Sequence, residues 1–356
     1  MSSEIEQLGE IAIGFLKKLI GTPSLSKDES KTLLLFEDFF RPRNINFETV
    51  KNNIWVKNKH FDSSKPTILL NSHHDTVKPN VSYTKDPYAA EVVDGKLFGL
   101  GSNDAGGPLV SLLATFLYFY EESELPYNLI FAASAEEEIS GKDGIELLIK
   151  WLPKIALAIV GEPTLMDMAV AEKGLMVLDC KAIGVAGHAA RDEGKNAIYE
   201  AIEDINWFRN YEFEKISESL GPIKMSVTVI NAGTQHNVVP DECSFVVDVR
   251  ATDAYSLEET LEIIKQNVKC EVKPRSVRLH PSGISLEHPI VKKGIALGMK
   301  TYGSPTLSDQ ALMPFTSIKI GPGDSARSHT ADEYIYVKEI YGGIEGYVEL
   351  LKGLVI

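Results

Sequence analysis

Histidine and carboxylate residues follow the apolar runs of this sequence. Four runs that read as buried strands lie at residues 67–70, 129–133, 156–160 and 317–320. They are followed by Asn-Ser-His-His-Asp, Ser-Ala-Glu-Glu-Glu, Gly-Glu-Pro-Thr, and Gly-Pro-Gly with a later Ser-His. A further segment, Gly-Ser-Asn-Asp, stands before a helix predicted over residues 107–120. Because open α/β sheets bind ligands outside the carboxyl ends of their strands, we expect two histidines and several carboxylates to meet at one rim.

These residue types indicate a site for divalent cations. Imidazole nitrogen and carboxylate oxygen form a ligand set suited to zinc or a similar ion. Two histidines and three carboxylates exceed the needs of one four-coordinate ion, whereas two ions bridged by one carboxylate use the whole set. Two metal ions about 3.5–4 Å apart can act together on a water molecule and a carbonyl group, so hydrolysis is the expected chemistry.

Each motif taken alone has a simpler interpretation. A His-x-Asp triplet is usually a solvated turn, a run of Glu a solvated helix face, and Gly-Glu-Pro-Thr a turn. His329, near a Gly-Pro-Gly loop, is typical of a surface histidine. The shared position at strand ends favours the metal site. The glycine-rich segment 99–106 lacks GxGxxG spacing and a βαβ start, which excludes a dinucleotide loop.

The alternation of strands and helices predicts the domain organisation. Residues 1–166 and 283–356 have the pattern of an α/β catalytic domain with a mixed, largely parallel sheet. Residues 167–282 follow the order β-α-β-β-α-β of a ferredoxin-like α+β module, inserted as a lid and dimerisation domain. Such a sheet has an edge strand that can pair across a two-fold axis, so we expect a homodimer through the lid.

Two Ser-x-x-Glu patterns predict the starts of helices. Ser26 with Glu29, and Ser256 with Glu259, have the spacing of a capping box, in which the serine and glutamate satisfy backbone N–H groups reciprocally.

The composition narrows the classes of partner. The net charge is −14 and there is no Lys/Arg-rich run, so no nucleic-acid partner is expected. No apolar run approaches membrane-spanning length, and the first residues lack a signal-peptide pattern, so no membrane partner is expected either. The three cysteines form no CxxC pair, which fits a reducing compartment. We therefore expect a cytoplasmic protein that acts on a small molecule.

Together, and in this order, the motifs resemble the zinc metallopeptidase family of acetylornithine deacetylase, succinyl-diaminopimelate desuccinylase, aminoacylase and glutamate carboxypeptidase. The resemblance covers nearly the whole chain. It implies a zinc-peptidase-like fold that holds two Zn²⁺, or Co²⁺ or another divalent ion. It implies His73, Asp104 and Glu162 as ligands of one ion. It implies Asp104, Glu138 and His329 as ligands of the other, with Asp104 bridging the two.

The resemblance also implies the roles of two further acidic residues. Asp75 would hold His73 in the proper tautomer. Glu137 would be the general base, beside the ligand Glu138. The three consecutive glutamates leave a second register open, in which Glu136 is the base and Glu137 the ligand.

Five further residues match positions that act on the substrate in the family. His188 would polarise the substrate carbonyl, within one subunit or across a dimer. Asn237 and Arg250 would hold the substrate carboxylate, although a structural salt bridge is an equal interpretation of Arg250. Gly323 and Arg327 would line the substrate pocket.

The resemblance favours acetylornithine deacetylase, which releases ornithine and acetate in arginine biosynthesis. Deacylation of N-succinyl- or N-acetyl-citrulline or -ornithine, succinyl-diaminopimelate desuccinylation, and dipeptidase or carboxypeptidase activity stay open. The family often has Arg and Lys where this chain has Leu100 and Gly106, so the chain departs from the family pattern at these two positions. A catalytically dead ligand-binding homologue would lack a ligand or the base, and a serine amidase would need a GxSxG elbow.

Overall fold

The structure, a computed structural model, describes residues 3–356 and shows two compact units. The first comprises the described residues up to Val170, with Gly283–Tyr302 and Ser308–Ile356. The second comprises Ala171–Ser282 and Gly303–Leu307. The sequence prediction puts this last segment in the outer domain, but the N–H of Lys173 donates to the carbonyl of Ser304 at 3.1 Å and binds it to the second unit. The catalytic and lid roles of the two units stay predictions.

The α-helices of the described chain have amphipathic or fully apolar sequences. Their bounds are α1 Ser3–Ile20, α2 Ser30–Phe40, α3 Gly107–Phe119, α4 Ile145–Leu148, α5 Ala197–Asn210, α6 Leu257–Asn267, α7 Pro289–Ala296 and α8 Val337–Leu351. Helix α1 buries Ile5, Ala12, Leu16 and Leu19 along one face, and acidic residues in its first turn and basic residues in its last complement the helix dipole.

The strands of the described chain are two to ten residues long, and many contain β-branched or aromatic residues. In chain order they are β1 Phe47–Val50, β2 Asn53–Lys57, β3 Thr67–His73, β4 Val92–Val93, β5 Lys96–Phe98, β6 Asn128–Ser134, β7 Leu157–Val160, β8 Met168–Glu172, β9 Gly174–Ile183, β10 Gly187–His188, β11 Lys224–Ala232, β12 Val238–Val239, β13 Glu242–Ala251, β14 Glu271–Pro274, β15 Ser282–Gly283, β16 Thr301–Ser304, β17 Ser317–Lys319 and β18 Tyr334–Tyr336.

A nine-stranded mixed sheet runs through the first unit. Its order is β1-β2-β6-β3-β7-β17-β8-β15, with β16 beside β8. The four central strands, β6, β3, β7 and β17, are parallel neighbours, whereas β1, β2 and β8 pair antiparallel. Parallel strands bring their carboxyl ends to one edge, and the four runs that precede the predicted site residues form these central strands.

The central strands are buried on both faces. On β3, Ile68 and Leu70 belong to a large apolar core shared with α1, α2, α3, α7 and α8. Leu69, which points to the opposite face, packs with Trp55, Ile130 and residues of α4 in a second core. Such two-sided burial explains why the runs are continuously apolar instead of alternating.

The second unit contains an antiparallel sheet with strand order β11-β13-β9-β14. Helix α5 connects β9 to β11, and α6 connects β13 to β14, which gives the chain order β-α-β-β-α-β of a ferredoxin-like module. Met176, Leu178, Phe245, Val247 and Val249 point to one face of the sheet and form the apolar core of this unit. The predicted fold class is therefore confirmed. Within residues 3–356, no helix combines the length and apolar character needed to cross a membrane.

The two predicted capping boxes have different outcomes. Ser256 and Glu259 form the box at the start of α6. The prediction for Ser26 and Glu29 is wrong, because α2 begins at Ser30 with Glu29 as N-cap and no side-chain cap bond. The Ser26 hydroxyl instead donates to Oδ2 of Asp75 at 2.7 Å.

Candidate active site

His73, the last residue of β3, lies at the centre of a cluster of carboxylates. Its Nε2 is 3.3 Å from Oδ1 of Asp104, 3.8 Å from Oε1 of Glu162 and 3.9 Å from Oε2 of Glu137. Its Nδ1 faces Asp75, at 3.0 Å from the backbone carbonyl and 3.5 Å from Oδ1. The ring is almost fully buried. The contacts of Nδ1 with Asp75 fix the orientation of the ring and leave Nε2 directed at the carboxylates.

Asp104 stands between the two predicted histidines. It lies in an irregular turn, Ser102–Gly106, that leaves helical geometry at Asp104 (φ −116°, ψ 100°) before α3 begins. Oδ1 faces His73 at 3.3 Å, and Oδ2 faces Nε2 of His329 at 3.7 Å. One carboxylate thus presents each of its oxygens to a different imidazole.

The three consecutive glutamates point in different directions. A short 3₁₀ turn, Glu137–Ile139, follows β6, and the N–H groups of Glu137 and Glu138 donate to the two carboxylate oxygens of Asp75 at 3.0 and 3.2 Å. Oε2 of Glu138 lies 3.0 Å from Nε2 of His329. Glu136 has φ 56°, and its Oε2 accepts the N–H of Asp143 at 3.4 Å. The carboxylates that face the histidines are those of Glu137 and Glu138.

Glu162 and His329 are held by two loops that bind each other. Glu162 follows β7, where the N–H of Gly161 donates to the carbonyl of Asn71 on β3 at 2.7 Å. The N–H of Thr164 donates to the carbonyl of Gly321 at 3.1 Å, and the N–H of Gly321 donates to Oγ1 of Thr164 at 3.0 Å. The second loop continues to His329, which has φ 59° and a half-exposed side chain.

Burial makes the clustered carboxylates hard to ionise together. It raises the pKa of Glu137 well above its usual range; the charge of His73 opposes this and that of Glu162 adds to it. Burial also raises the pKa of Glu162 well above its usual range, again with His73 in opposition. Like charges this close favour either protonation or an added cation.

The two histidines of the site, in contrast, are stabilised in their charged form. Burial lowers the pKa of His73, but the bonds to Asp104 and Asp75 outweigh it and hold the pKa well above the ordinary value. The bond to Glu138 raises the pKa of His329 to about 9. In the metal-free protein both rings therefore hold protons that a cation would replace.

The donor set fits divalent cations. Ligand atoms of His73, Asp104 and Glu138 all lie within 4.8 Å of one another, and Glu162 and His329 extend this group on either side. The set combines two imidazole nitrogens with carboxylate oxygens, which suits zinc and similar ions. It is also rich in buried negative charge, which two cations would neutralise.

Three other polar residues support this rim, and none of them was assigned to the site from the sequence. The hydroxyl of Ser26 donates to Asp75. Buried Asp309 accepts the amide of Asn71 at 2.8 Å and the hydroxyl of Ser134 at 2.6 Å through Oδ2, and burial raises its pKa to about 6. Buried Glu333 accepts backbone N–H groups of the Asp104 turn, and burial raises its pKa to about 8. No sequence pattern marks Asp309 or Glu333, because an isolated acidic residue has the appearance of a solvated one.

Two predicted substrate residues of the first unit, Gly323 and Arg327, also have structural roles. Gly323 has φ 92°, and a Cβ at this position would lie 2.5 Å from Oδ1 of Asn103, so glycine is required. The guanidinium of Arg327 pairs with both carboxylate oxygens of Glu339 at 2.7 and 2.9 Å. It also lies over the ring of Tyr334, 4.9 Å from the centroid. Their roles toward a substrate stay predictions.

The other predicted substrate residues lie in the second unit. His188 on β10 is exposed, and its Nδ1 accepts the N–H of Ala190 at 3.1 Å. Asn237 precedes β12, and its carbonyl accepts the N–H of Ala189 at 3.0 Å, so it is a neighbour of His188. The guanidinium of Arg250 pairs with Asp248 at 2.8 and 3.1 Å, which is the structural salt bridge that the sequence left open. Their roles toward a substrate also stay predictions.

Comparison with known proteins identifies the family. The chain matches the peptidase family M20/M25/M40 over residues 69–353, and it belongs to this family. It is 28% identical over 347 residues to LysW-lysine/LysW-ornithine hydrolase of Sulfurisphaera tokodaii, covering 94% of this chain and 92% of that protein. It is 25% identical over 268 residues to succinyl-diaminopimelate desuccinylase of Cereibacter sphaeroides, covering 70% of each chain.

A solved structure shares the complete fold. A dinuclear metal-binding peptidase of the M20 family from Bacillus subtilis covers 97% of this chain and 98% of its own, with a TM-score of 0.75 and 16% identity. The family match and the hydrolase relatives make this protein an amidohydrolase, as predicted from the sequence.

Proposed function

We propose that the protein is a two-metal hydrolase that cleaves the amide bond between an acyl group and the amino nitrogen of a small amino acid. The observation that carries this proposal is the position of Asp104, whose two oxygens face His73 and His329 separately. A carboxylate between two imidazoles is the arrangement that a bridged pair of cations requires. The resemblance to a solved dinuclear peptidase supports it.

The proposed ligands divide into two sets that share one residue. His73, Asp104 and Glu162 would hold one cation, and Asp104, Glu138 and His329 the other. Zn²⁺ is the first candidate, with Co²⁺ or another divalent ion as alternatives, because the set mixes nitrogen and oxygen donors. When bound, such ions acidify a shared water molecule and polarise a substrate carbonyl.

Glu137 is the proposed general base. Its carboxylate lies 3.9 Å from Nε2 of His73. Unlike Glu138, it has no histidine at hydrogen-bonding distance among the residues that the structure describes. It takes one proton from the water whose oxygen attacks the amide carbon. As the C–N bond breaks, Glu137 returns that proton to the leaving amine, so that a carboxylic acid and a free amino acid are released.

Asp75 holds the reacting groups of the first unit in place, and three residues of the second unit are proposed to act on the substrate. Asp75 binds the His73 ring through Nδ1 and fixes the turn of Glu137 and Glu138 through their N–H groups. His188, from the second unit, would donate to the carbonyl oxygen as charge develops there. Asn237 and Arg250 would bind the carboxylate of the substrate.

N-acetylornithine is our first candidate substrate, and its hydrolysis would belong to arginine biosynthesis. A second candidate is a lysine or ornithine linked to the LysW protein. The relative named for that reaction aligns over 94% of this chain, whereas the desuccinylase aligns over 70%. Both candidates release a diamino acid, and they differ in the acyl partner.

A second copy of the chain is the proposed partner of the lid. Strand β11 is an edge of its sheet, and Val229 and Ile230 on it are about half exposed. Helix α5, which packs on β11, also exposes Tyr199 and Ile202. An exposed apolar stretch on an edge strand favours pairing with another strand. Sedimentation should give a dimer, and Ile230→Lys should shift it to monomer; a wild-type monomer would contradict this proposal.

The experiment that tests the function is a substrate panel before and after chelation. The panel contains N-acetylornithine, N-acetylcitrulline, N-succinyl-diaminopimelate, LysW-ornithine and a dipeptide. We expect turnover of an N-acyl amino acid that is lost on chelation and restored by two equivalents of Zn²⁺. Absence of turnover on the whole panel with Zn²⁺ or Co²⁺ added would favour a ligand-binding homologue.

A further inference from the structure

Glu333 is a buried carboxylate that binds the backbone of the turn carrying Asp104. Its Oε1 accepts the N–H groups of Asn103 at 2.8 Å and of Asp104 itself at 3.0 Å. Its Oε2 accepts the N–H of Gly101 at 3.2 Å. The backbone carbonyl of Glu333 accepts the N–H of Gly99 at 3.0 Å. One residue thus meets four backbone donors of this segment.

The turn needs such an acceptor because it is not helical. The backbone of Asp104 has φ −116° and ψ 100°, so its N–H cannot join the hydrogen bonds of α3. Asn103 is fully buried, and solvent cannot satisfy its N–H group. Without the Glu333 carboxylate, the buried N–H groups of Gly101 and Asn103 and the partly buried N–H of Asp104 would lose their partner. Unpaired backbone donors of this kind destabilise a folded protein.

Glu333 also joins the Asp104 turn to the loop that carries His329. It stands four residues after His329 in the chain. A second link runs in parallel, since the amide of Asn103 donates to the carbonyl of Asp324 at 3.0 Å and accepts the Asp324 N–H at 3.1 Å. Asp104 and His329, 3.7 Å apart, therefore lie on two loops that hydrogen bonds from Glu333 and from Asn103 hold together.

We infer that Glu333 is a positioning residue, which sets the Asp104 carboxylate relative to His329 and thereby the spacing of the two cation positions. This inference rests on the two-metal function proposed above. Glu333 touches no reacting group itself. It acts through the backbone of Asp104, and its effect is expected on cation affinity and on kcat more than on KM.

The variant Glu333→Gln tests the inference with little change of shape. The amide retains one acceptor oxygen, and its NH₂ group faces N–H donors that it cannot satisfy. The matched control is Asp332→Asn, on the adjacent residue. Asp332 also accepts two backbone N–H groups, those of Thr84 and Lys85, but these belong to another loop. Asn tolerates the left-handed backbone of this position (φ 53°).

Zn²⁺ alone is titrated calorimetrically into metal-free wild type and both variants, with a competing chelator, and kcat and KM are measured at saturating Zn²⁺. We expect two ions in wild type and a loss of about 10- to 100-fold in affinity, in kcat or in both for Glu333→Gln, as for other residues that orient ligands. Asp332→Asn should match wild type. Wild-type affinity and kcat in Glu333→Gln would overturn the inference while leaving the proposed function intact. A wild type that binds fewer than two ions would overturn both.

A measurement on the wild type keeps the inference testable if Glu333→Gln does not fold. Hydrogen exchange in the metal-free protein reports the amides of Gly101, Asn103 and Asp104 directly. We expect slow exchange, because the carboxylate holds these groups before any cation binds. Rapid exchange at all three amides would show that Glu333 does not fix the turn, and the inference would be wrong.

Discussion

Two segments with the same Ser-x-x-Glu pattern behave differently in this molecule. In the second unit, Oγ of Ser256 accepts the N–H of Glu259 at 3.0 Å, and the carboxylate of Glu259 accepts the N–H of Ser256 at 2.8 Å. In the first unit, Ser26 donates to Asp75 instead. Glu29 accepts the N–H groups of Lys27 at 2.7 Å and Glu136 at 3.2 Å. Ser256 and Glu259 bind each other, whereas Ser26 and Glu29 bind residues up to 107 positions away.

The difference shows what a functional site does to local structure. Ser26 and Glu29 border the strand ends where Asp75 and the three glutamates need fixed positions, so their side chains support the site and the helix loses its cap. Ser256 and Glu259 have no such task and follow the local rule. Sequence rules of this kind fail where tertiary contacts at a functional site compete with them.

The largest effect on kcat should come from replacing the proposed base of the site, Glu137, by glutamine. Glu137→Gln should lower kcat about 10²- to 10⁴-fold, because the base is lost, while cation binding is retained. The metal-free variant should unfold with a higher free energy than wild type at pH 7. Since the folded pKa of Glu137 is raised, its ionised form destabilises the fold above the unfolded pKa, and Gln removes that charge.

The matched control for this replacement is Glu136→Gln, one residue earlier. Its carboxylate binds the backbone of Asp143 and should leave kcat close to wild type. Kinetics, Zn²⁺ titration and urea unfolding of both variants decide the register. A large loss of kcat in Glu136→Gln with an active Glu137→Gln would assign the base to Glu136.

An intermediate effect should separate the two serines. Ser26→Ala removes a bond to Asp75 and should lower kcat or Zn²⁺ affinity by about 10-fold or more. Ser256→Ala removes a helix cap and should lower the free energy of unfolding by about 1 kcal/mol without changing kcat. Urea unfolding and steady-state kinetics measure both. If Ser26→Ala lost only stability, the comparison between the two segments would fail.

The last comparison is the pH dependence of Zn²⁺ affinity, which should distinguish two histidines. The pKa of His329 is about 9 in the metal-free protein, because Glu138 stabilises its charged form. The ion held by Asp104, Glu138 and His329 must replace that proton, so the affinity for this second Zn²⁺ should rise about tenfold per pH unit from pH 7 towards 9. The stability that the His329–Glu138 pair adds to the metal-free fold is complete below the unfolded pKa and is lost as pH rises through about 9.

His288 is the matched control, because it acts only locally. Its Nδ1 accepts the N–H of Ile290 at the start of α7, and burial lowers its pKa. His288→Asn keeps a cap for α7 and should leave the pH slope of Zn²⁺ affinity unchanged. His329→Asn should reduce that slope by about one proton. Equal slopes in wild type and His329→Asn would contradict the proposed coordination.

The sequence predicted the parts of the molecule that depend on short-range patterns. Continuous apolar runs predicted the central strands, and the polar residues after them predicted the rim that gathers His73, Asp104, Glu138 and Glu162. The Ser256 box was also predicted correctly, because all its partners lie within four residues.

Long-range partners escaped the same reasoning. Asp309 meets Asn71 across 238 positions, and Glu333 meets Asp104 across 229. No periodicity connects residues so far apart, and an isolated acidic residue has the appearance of a solvated one. The pairing of Arg327 with Glu339 is shorter, at 12 positions, but the motif that pointed to a substrate contact gave no hint of it.

The place of β17 in the large sheet has a consequence for the order of events during synthesis. β17 lies between β7 and β8, strands that are complete by residue 172, yet it is not translated until residue 317. A ribosome-bound chain therefore exposes unpaired apolar strands while the residues between 172 and 317 are translated, a state prone to association with other chains. His329 emerges later still, so a nascent chain would lack a complete ligand set for the second ion until both β17 and the loop after it have been translated.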